Sequence, residues 1–213
     1  MIHEDPQIIE PETLALLNLL MSDDNLSDFF LVGGTALALQ IGHRLSIDLD
    51  LFSELSFNSI ELNDYLSAYY SFNTTAIRSN TLLGFINEIK VDFISHQYAL
   101  VKPLILREKK RFASLLDIGA MKLNAVGQSG QRQKDFYDIY YLLQYYSLSD
   151  LLSAYASKYP RSSTLIPIRG LSYFDDIKFE IEPPILVEDV PFSKVRSRLL
   201  EAVQHVDQVF LSR

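Results

Sequence analysis

Cysteine is absent from the 213 residues of this chain. Its absence excludes a disulfide framework, a thiolate zinc site and a cysteine nucleophile, and it fits a cytoplasmic location. The sequence also contains no run of 18 apolar, uncharged residues, so we expect no membrane span. Residues 1–6 lack the basic and apolar regions of a secretory signal, and we expect no signal peptide.

Positive charge is scarce as well. The chain has 19 Lys and Arg against 27 Asp and Glu, a formal net charge of −8. Because such a chain repels nucleic acid as a whole, any nucleic-acid partner needs a local basic patch. The densest basic segment is 107–111, which fits either a solvated turn or helix face, or a phosphate contact for RNA. No zinc-site spacing relates the four histidines, His3, His43, His96 and His205.

The remaining pattern predicts an α+β protein of two lobes. Residues 1–105 read as an α/β lobe and residues 106–213 as a helical lobe, without internal repeats. In the first lobe we predict three helices, over 12–20, 36–41 and 59–70. We predict four strands there, over 29–32, 46–52, 73–78 and around 85–94. In the second lobe we predict helices over 115–126, 133–146, 149–157 and 193–210.

A double glycine marks the first candidate site. Gly33 and Gly34 follow a short apolar strand and precede a helix, for which Thr35 is the expected N-cap. Glycines allow the backbone to approach a phosphate closely. A helix N-terminus presents free N–H groups and the positive end of its dipole to an anion. The segment Gly33–Thr35 therefore predicts a binding turn for a nucleoside triphosphate.

Two aspartates follow on the next predicted strand. Alternation places Ser46, Asp48 and Asp50 on one face of it. The alternate positions are expected to face the core: Ile47, Leu49 and Leu51. The Cα atoms of Asp48 and Asp50 are roughly 6.5–7 Å apart in a strand, so both carboxylates can bind the same Mg²⁺ or Mn²⁺ ions together with phosphate oxygens.

Neither motif is specific alone, since an Asp-x-Asp strand is as often a solvated edge of a sheet as a metal site. Their order favours a joint site, because Thr35 precedes Asp48 by only 13 residues. Arg44 and His43 lie just before the acidic strand, where they contact the nucleotide or simply form a structural loop. We include Arg44 among the expected nucleotide contacts.

Asp92 is the candidate third carboxylate. It lies on a predicted strand and shares a face with Lys90 and Ile94. A third acid can orient a metal ion or deprotonate an attacking hydroxyl group. The competing interpretation is a simple ion pair between Asp92 and a surface lysine.

The helical lobe holds the second candidate site. Lys122 is the only basic residue of the apolar helix predicted over 115–126, where it either snorkels past the core edge or reaches an anion in a cleft. Asp135 and Asp138 share one face of the next helix. We expect one of them to hold Lys122 or the nucleotide. Otherwise the helix dipole explains Asp135, and Lys134 pairs with Asp138.

Together these motifs resemble those of the AbiEii/AbiGii-type nucleotidyltransferase toxins, which belong to the polymerase-β-like superfamily. Four segments carry the resemblance: 31–39, 43–52, 117–125 and 134–140. The tail, 171–176, is also similar to the family's C-terminal region. The resemblance implies a minimal nucleotidyltransferase fold, a mixed sheet flanked by helices, followed by a helical C-terminal lobe.

The resemblance also implies residue roles. Ser46, Asp48 and Asp50 match the family's Ser-x-Asp-x-Asp motif, whose aspartates bind metal. Lys122 matches its essential lysine. The acid of its last motif matches one of two residues, Asp135 or Asp138. One position departs: Ser129 stands where the family often has an arginine, and we expect Arg132 to replace it as a nucleotide contact.

The activity implied is metal-dependent transfer of a nucleotide from a nucleoside triphosphate to RNA, in some members the 3′ end of tRNA. Family members usually act as the toxin of a toxin–antitoxin pair, so a cognate antitoxin and a role in phage defence are implied too. Two other functions stay open at this point. One is a kinase-like phosphotransfer on the same fold, and the other is a catalytically inactive module that binds a nucleotide or a partner.

Overall fold

The computed structural model describes residues 2–211 of the chain. Their contacts form two compact units. The first comprises everything up to Ala99 together with Pro103–Ala113, and the second comprises Leu100–Lys102 and everything from Ser114. The domain boundary that the sequence places between residues 105 and 106 stays a prediction.

The first unit is built on one mixed sheet. Its strands are β1 (Phe30–Val32), β2 (Leu49–Ser53), β3 (Asn73–Arg78), β4 (Thr81–Ile86), β5 (Ile89–Ser95), β6 (Ile105–Arg107) and β7 (Lys110–Phe112). They lie in the order β3-β4-β5-β2-β1-β7-β6. Its helices are α1 (Pro11–Met21), α2 (Gly33–Ile41) and α3 (Ser59–Tyr70), and a 3₁₀ turn covers Asp24–Leu26.

Strand β2 lies at the centre of this sheet and determines where the acidic residues meet. It pairs antiparallel with β1 and parallel with β5. Asp50 of β2 is thereby paired with Val32 on one side and with Asp92 on the other. The alternate residues Leu49 and Leu51 are fully buried, which fixes the register, since a one-residue slip would expose both of them.

Strand β2 is shorter than the alternation predicts. It begins only at Leu49, and residues 45–48 belong to no strand. The expectation that Ile47 faces the core is therefore wrong, because its side chain precedes the paired strand and is 47% exposed. Asp48 likewise lies just before the strand and not within it.

The single strand predicted around 85–94 is in fact a hairpin of β4 and β5. Its turn residues Asn87 and Glu88 both have positive φ, 48° and 66°, as a two-residue hairpin turn requires. Asparagine tolerates this conformation but glutamate rarely does. Neither turn residue is glycine, which usually marks such a turn in a sequence, and the hairpin was therefore predicted as a single strand.

The basic segment 107–111 is the second hairpin, formed by β6 and β7, and two of its cations have structural roles. Lys110 is 3% exposed and forms an ion pair with Glu4 at 2.9 Å. The Arg111 guanidinium donates to four backbone carbonyls, those of Met21, Leu26, Phe29 and Lys109. Lys110 and Arg111 are thus not the cations of a solvated turn, and the phosphate contact for RNA stays a prediction for this segment.

The carboxylate of Asp23 connects the 3₁₀ turn to α3. It accepts hydrogen bonds from the hydroxyl groups of Tyr65 (2.7 Å) and Tyr70 (2.5 Å) and from the amide of Asn25. Burial raises the pKa of Asp23, but the hydrogen bonds from Tyr70, Tyr65 and Asn25 outweigh it, so the pKa is lowered below its ordinary value of 3.8.

A lowered pKa makes the stabilisation by Asp23 dependent on pH. The contribution is complete above the unfolded-state pKa and is lost as the pH falls through the folded-state pKa. We expect Asp23→Asn to cost about 1 kcal/mol at pH 7, since the carboxylate is only partly buried, and much less at pH 2. Urea unfolding at the two pH values measures this, with the exposed neighbour Asp24→Asn as control. An equal cost at both pH values would contradict it.

The second unit is helical. Its helices are α4 (Leu115–Gln128), α5 (Gln133–Leu142), α6 (Leu148–Lys158), α7 (Leu165–Leu171) and α8 (Phe192–Gln204). Helix α6 begins with a capping box in which Ser147 and Asp150 bond reciprocally, which explains a sharp start after α5. Helix α7 was not predicted. Within residues 2–211, no helix combines the length and apolar character needed to cross a membrane.

A buried ion pair anchors α4. The carboxylate of Asp117 is fully buried and bonds to Lys158 of α6 at 2.9 Å. It also accepts hydrogen bonds from the backbone N–H groups of Val101 and Lys102 and from the hydroxyl of Ser114. Asp117 therefore fixes residues 100–102 against α4 and has a structural role that the sequence analysis missed.

Candidate active site

The double glycine is the first turn of α2, and not a loop ahead of it. Thr35 is consequently not the N-cap: that position is Val32. The buried hydroxyl of Thr35 instead forms a hydrogen bond with the hydroxyl of Ser46 at 2.9 Å and donates to the backbone carbonyl of Asp48. Thr35 thus connects the start of α2 to the segment before β2.

Gly33 lies directly against the carboxylate of Asp50. Its φ is +69°, and a Cβ atom built on it would lie 2.2 Å from Oδ2 of Asp50. Only glycine combines this backbone conformation with so close an approach. The start of α2 and the acidic strand therefore lie side by side, and the joint site that the sequence predicts from their order stays a prediction.

Replacing Gly33 with alanine tests this contact. We expect Gly33→Ala to displace the Asp50 side chain and to lower catalytic activity at least about a hundredfold, comparable to the loss of one preorganised polar contact. Gly42→Ala is the matched control, since Gly42 has a similar φ of +66° but its neighbour is His3. Both variants should lose about 1–2 kcal/mol of stability. Equal activity in the two variants would contradict the role of Gly33.

The three candidate carboxylates of the first unit cluster around one lysine. Asp50 and Asp92 are paired across the parallel strands β2 and β5. Lys90 bonds to Asp92 Oδ2 at 2.7 Å. Burial lowers the pKa of Lys90, but the hydrogen bond with Asp92 and the charges of Asp92, Asp50 and Asp48 outweigh it and raise the pKa overall. The ion pair that we considered as the competing explanation for Asp92 is therefore present.

The donor set fits a magnesium ion that arrives with a nucleotide. Asp92 Oδ1 is buried and has no hydrogen-bond partner among the described residues, which is costly for a carboxylate unless a cation or donor binds there. Within residues 2–211, no group of three or more His, Asp and Glu side chains is arranged to hold a metal on its own. Mg²⁺ commonly takes one or two carboxylates and completes its shell with phosphate and water.

Arg44 and His43 are both buried, each 3% exposed. A Cβ atom on Gly34 would lie 2.3 Å from Nη2 of Arg44 and 3.2 Å from Oγ of Ser46. The Arg44 guanidinium also donates to the carbonyl of Leu45 at 3.1 Å. Arg44 therefore lies beneath the first turn of α2, where its positive charge reinforces the dipole of the helix N-terminus.

The second unit brings Lys122 together with both acids of α5. Its ammonium group bonds to Asp135 at 2.6 Å and to Asp138 at 2.7 Å. All three side chains are buried, with exposed fractions of 9%, 6% and 0%. Asp135 and Asp138 thus both hold Lys122. The alternative pairing of Lys134 with Asp138 is wrong, since Lys134 pairs with Glu182 at 3.2 Å.

Arg132 occupies the N-cap position of α5 and is exposed. With Lys134 and Lys178 it lines a pocket of about 130 Å³. Ser129, which replaces the arginine expected in this loop, ends α4 and bonds back to the carbonyl of Ala125. Three cations therefore line the pocket beside this loop, but of these only Arg132 belongs to the loop itself.

Solved structures share this architecture. The chain is similar to JHP933 from Helicobacter pylori, with a TM-score of 0.55, 17% identity and coverage of 93% of each chain. It is also similar to an antigenic nucleotidyltransferase-like protein from Paracoccidioides brasiliensis, with a TM-score of 0.50 and 16% identity over 73% of this chain and 90% of that one. The fold is thus the α+β fold of nucleotidyltransferases, as predicted.

Sequence similarity is more specific. Residues 15–204 match the family described as "Nucleotidyl transferase AbiEii toxin, Type IV TA system". An uncharacterized protein of Aquifex aeolicus (strain VF5) is 31% identical over 165 residues, which are 73% of this chain and 78% of the relative. The chain belongs to the AbiEii nucleotidyltransferase toxin family, which confirms the resemblance, and it is a nucleotidyltransferase.

Proposed function

We propose that this protein transfers a nucleotide from a nucleoside triphosphate to the 3′ end of an RNA, in the manner of a tRNA-modifying toxin, and that the reaction depends on Mg²⁺ or Mn²⁺. The observation that carries the proposal is the position of the Asp50 carboxylate. It lies against Gly33 at the start of α2 and is paired with Asp92 on the neighbouring strand. This contact supports a phosphate site and a metal site that adjoin.

Asp48, Asp50 and Asp92 are the residues that would hold the metal. A divalent ion held there would neutralise charge on the triphosphate and activate the attacking hydroxyl group, whose new bond to the α-phosphorus would replace the bond to the departing pyrophosphate. Asp92 would also serve as the general base, because its Oδ1, which has no hydrogen-bond partner, can accept the proton of that hydroxyl group. Lys90, already bonded to the other oxygen of Asp92, keeps this carboxylate oriented.

The first turn of α2 would hold the phosphates. Gly33 and Gly34 carry no side chain, so an anion can approach their N–H groups, and the dipole of α2 favours negative charge there. Ser46 and Thr35 fix the geometry through their shared hydrogen bond. The buried guanidinium of Arg44 adds positive charge below the turn.

Lys122 would contribute a fixed positive charge that offsets the negative charge developing during transfer. Asp135 and Asp138 prevent this lysine from adopting other rotamers by bonding to it from two sides. Arg132, with Lys134 and Lys178 nearby, would contact the triphosphate. The preferred nucleotide depends on this shifted loop.

The proposed biological role follows from family membership. The family is described as the toxin of a type IV toxin–antitoxin system, so we propose that a cognate antitoxin counteracts this protein in the cytoplasm, with phage defence as the setting. Depletion of an RNA acceptor by blocking its 3′ end is a direct route to growth arrest.

Incubation of the protein with RNA and a nucleoside triphosphate labelled in one of two phosphates tests the reaction type. Each nucleoside triphosphate is supplied once with labelled α-phosphate and once with labelled γ-phosphate. We expect only the α-label to enter the RNA, in a manner that requires Mg²⁺. Incorporation of the γ-label would establish the kinase-like alternative. Mg²⁺-dependent thermal stabilisation by a nucleotide without any incorporation would indicate the inactive binding module.

A further inference from the structure

The second unit contains a further pocket of about 440 Å³, and none of its lining residues belongs to the candidate active site. Six of its lining residues are aromatic or charged: Tyr140, Tyr141, Glu188, Lys194, Arg198 and Phe210. They come from α5, the loop before α8, α8 itself and the segment after it. The volume falls within the range of ligand-binding pockets, roughly 300–1,000 Å³.

The guanidinium of Arg198 is held rigidly in this pocket. Its carbon lies 3.8 Å from the centroid of the Tyr140 ring and 5.4 Å from that of Phe210. One of its nitrogens donates to the carbonyl of Tyr140 at 3.2 Å. A planar cation between two rings, fixed by a backbone bond, has lost most of its rotamer freedom before any ligand arrives.

Among residues 2–211 no acid forms an ion pair with Arg198. Burial lowers the pKa of Arg198 and outweighs the opposing charge of Glu201. Lys194, one helical turn earlier on α8, is exposed and also lines the pocket. Within the described part of the chain, Glu188 is the single acid of the lining. Two cations against one acid favour an anionic ligand.

We propose that this pocket binds a nucleotide of single-stranded RNA. Its phosphate would bond to Arg198 and Lys194, and its base would pack against the rings of Tyr141 and Phe210, as bases do in single-strand binding sites. The proposal rests on the proposed transfer to RNA. It supplies the local basic site that a chain of net charge −8 needs for an RNA partner, since Lys110 and Arg111 are engaged elsewhere.

Binding of a fluorescein-labelled, 12-nucleotide single-stranded RNA, followed by anisotropy without metal or nucleotide, tests the pocket. We expect Arg198→Met to weaken binding at least about fivefold and Phe210→Leu by a similar factor. Lys194→Ala should also reduce the slope of log K against log salt by roughly 0.7, the value for one phosphate contact on a single strand. Phe210→Leu should leave that slope unchanged. The exposed Lys102→Ala is the matched control, since Lys102 lies outside both the pocket and the segment 107–111, and it should bind like the parent.

Equal affinity and equal salt slope in the parent, Lys194→Ala and Phe210→Leu would overturn the proposal and leave the pocket to a protein or small-molecule ligand. Lys194 is exposed, so its variant remains informative even where Arg198→Met fails to fold. Pocket-dependent binding of free adenosine monophosphate without pocket-dependent RNA binding would also overturn it. Because the measurement needs no catalysis, a failure of the proposed transfer reaction is detected separately, by the absence of label in RNA.

Discussion

Replacing Lys122 with methionine is expected to lower the melting temperature by about 6–20 °C and to abolish nucleotide transfer. Methionine preserves most of the side-chain volume but removes the ammonium group that bonds to Asp135 and Asp138. Two buried carboxylates are then left facing each other. Breaking a buried ion pair in this way costs about 3–5 kcal/mol, and each kcal/mol corresponds to about 2–4 °C in a chain of this size.

A compensated variant separates the structural role of Lys122 from its catalytic role. Adding Asp135→Asn and Asp138→Asn to Lys122→Met removes the uncompensated charges, so we expect the melting temperature to recover substantially. Transfer should remain absent, because no cation then offsets the charge that develops on the phosphates. If activity returned together with stability, Lys122 would be a purely structural residue.

Replacing Asp48 or Asp50 with asparagine is expected to reduce transfer about a thousandfold or more while the fold persists. Stabilisation by a bound metal is worth several kcal/mol, and each 1.36 kcal/mol is tenfold in rate. Asparagine matches the shape of aspartate but is a poor magnesium ligand. Both residues are only partly buried, and each replacement relieves repulsion among neighbouring acids. The melting temperature should therefore stay equal or rise.

Asp64→Asn is the matched control for these two variants, since Asp64 is an exposed acid on α3. It removes the same charge from the same unit and should leave transfer unchanged. Full activity in Asp48→Asn would be incompatible with a metal site formed by these carboxylates. Equal losses in all three variants would indicate a dependence on overall charge instead.

The motifs of the first unit were predictable because they are local. The alternation of Leu49, Asp50 and Leu51 correctly indicated a half-buried strand. The double glycine was predicted to let the backbone approach a phosphate, which stays a prediction, and the structure places Asp50 against Gly33. The proximity of Asp92 to Asp50 depends on the parallel pairing of β2 with β5. Pairing between strands some 40 residues apart follows from the sheet order, which hydrophobic periodicity does not encode.

The errors in the first unit have a common physical origin. Ile47 and Thr35 were assigned from patterns that assume an element continues or starts at a particular residue. In the folded chain, tertiary contacts shift those limits: Thr35 bonds to Ser46 and Asp48 instead of capping its own helix. Limits of elements are the least reliable part of any such prediction.

The second unit shows the same division between local and distant information. Helical spacing placed Asp135 and Asp138 on one face, and Lys122 indeed bonds to both. The pocket around Arg198 could not be predicted, because it forms where α5, α8 and residue 210 converge. The same holds for the anchor between Asp117 and Lys158, which are 41 residues apart.

The most direct test of the central claim is transfer of α-labelled nucleotide to RNA whose 3′ end is either intact or oxidised with periodate. The account predicts that the purified protein labels intact RNA in the presence of Mg²⁺, and that label is lost on chelation, on periodate oxidation and in Asp48→Asn. Labelling that persists on periodate-treated RNA, or that Asp48→Asn retains in full, would contradict it.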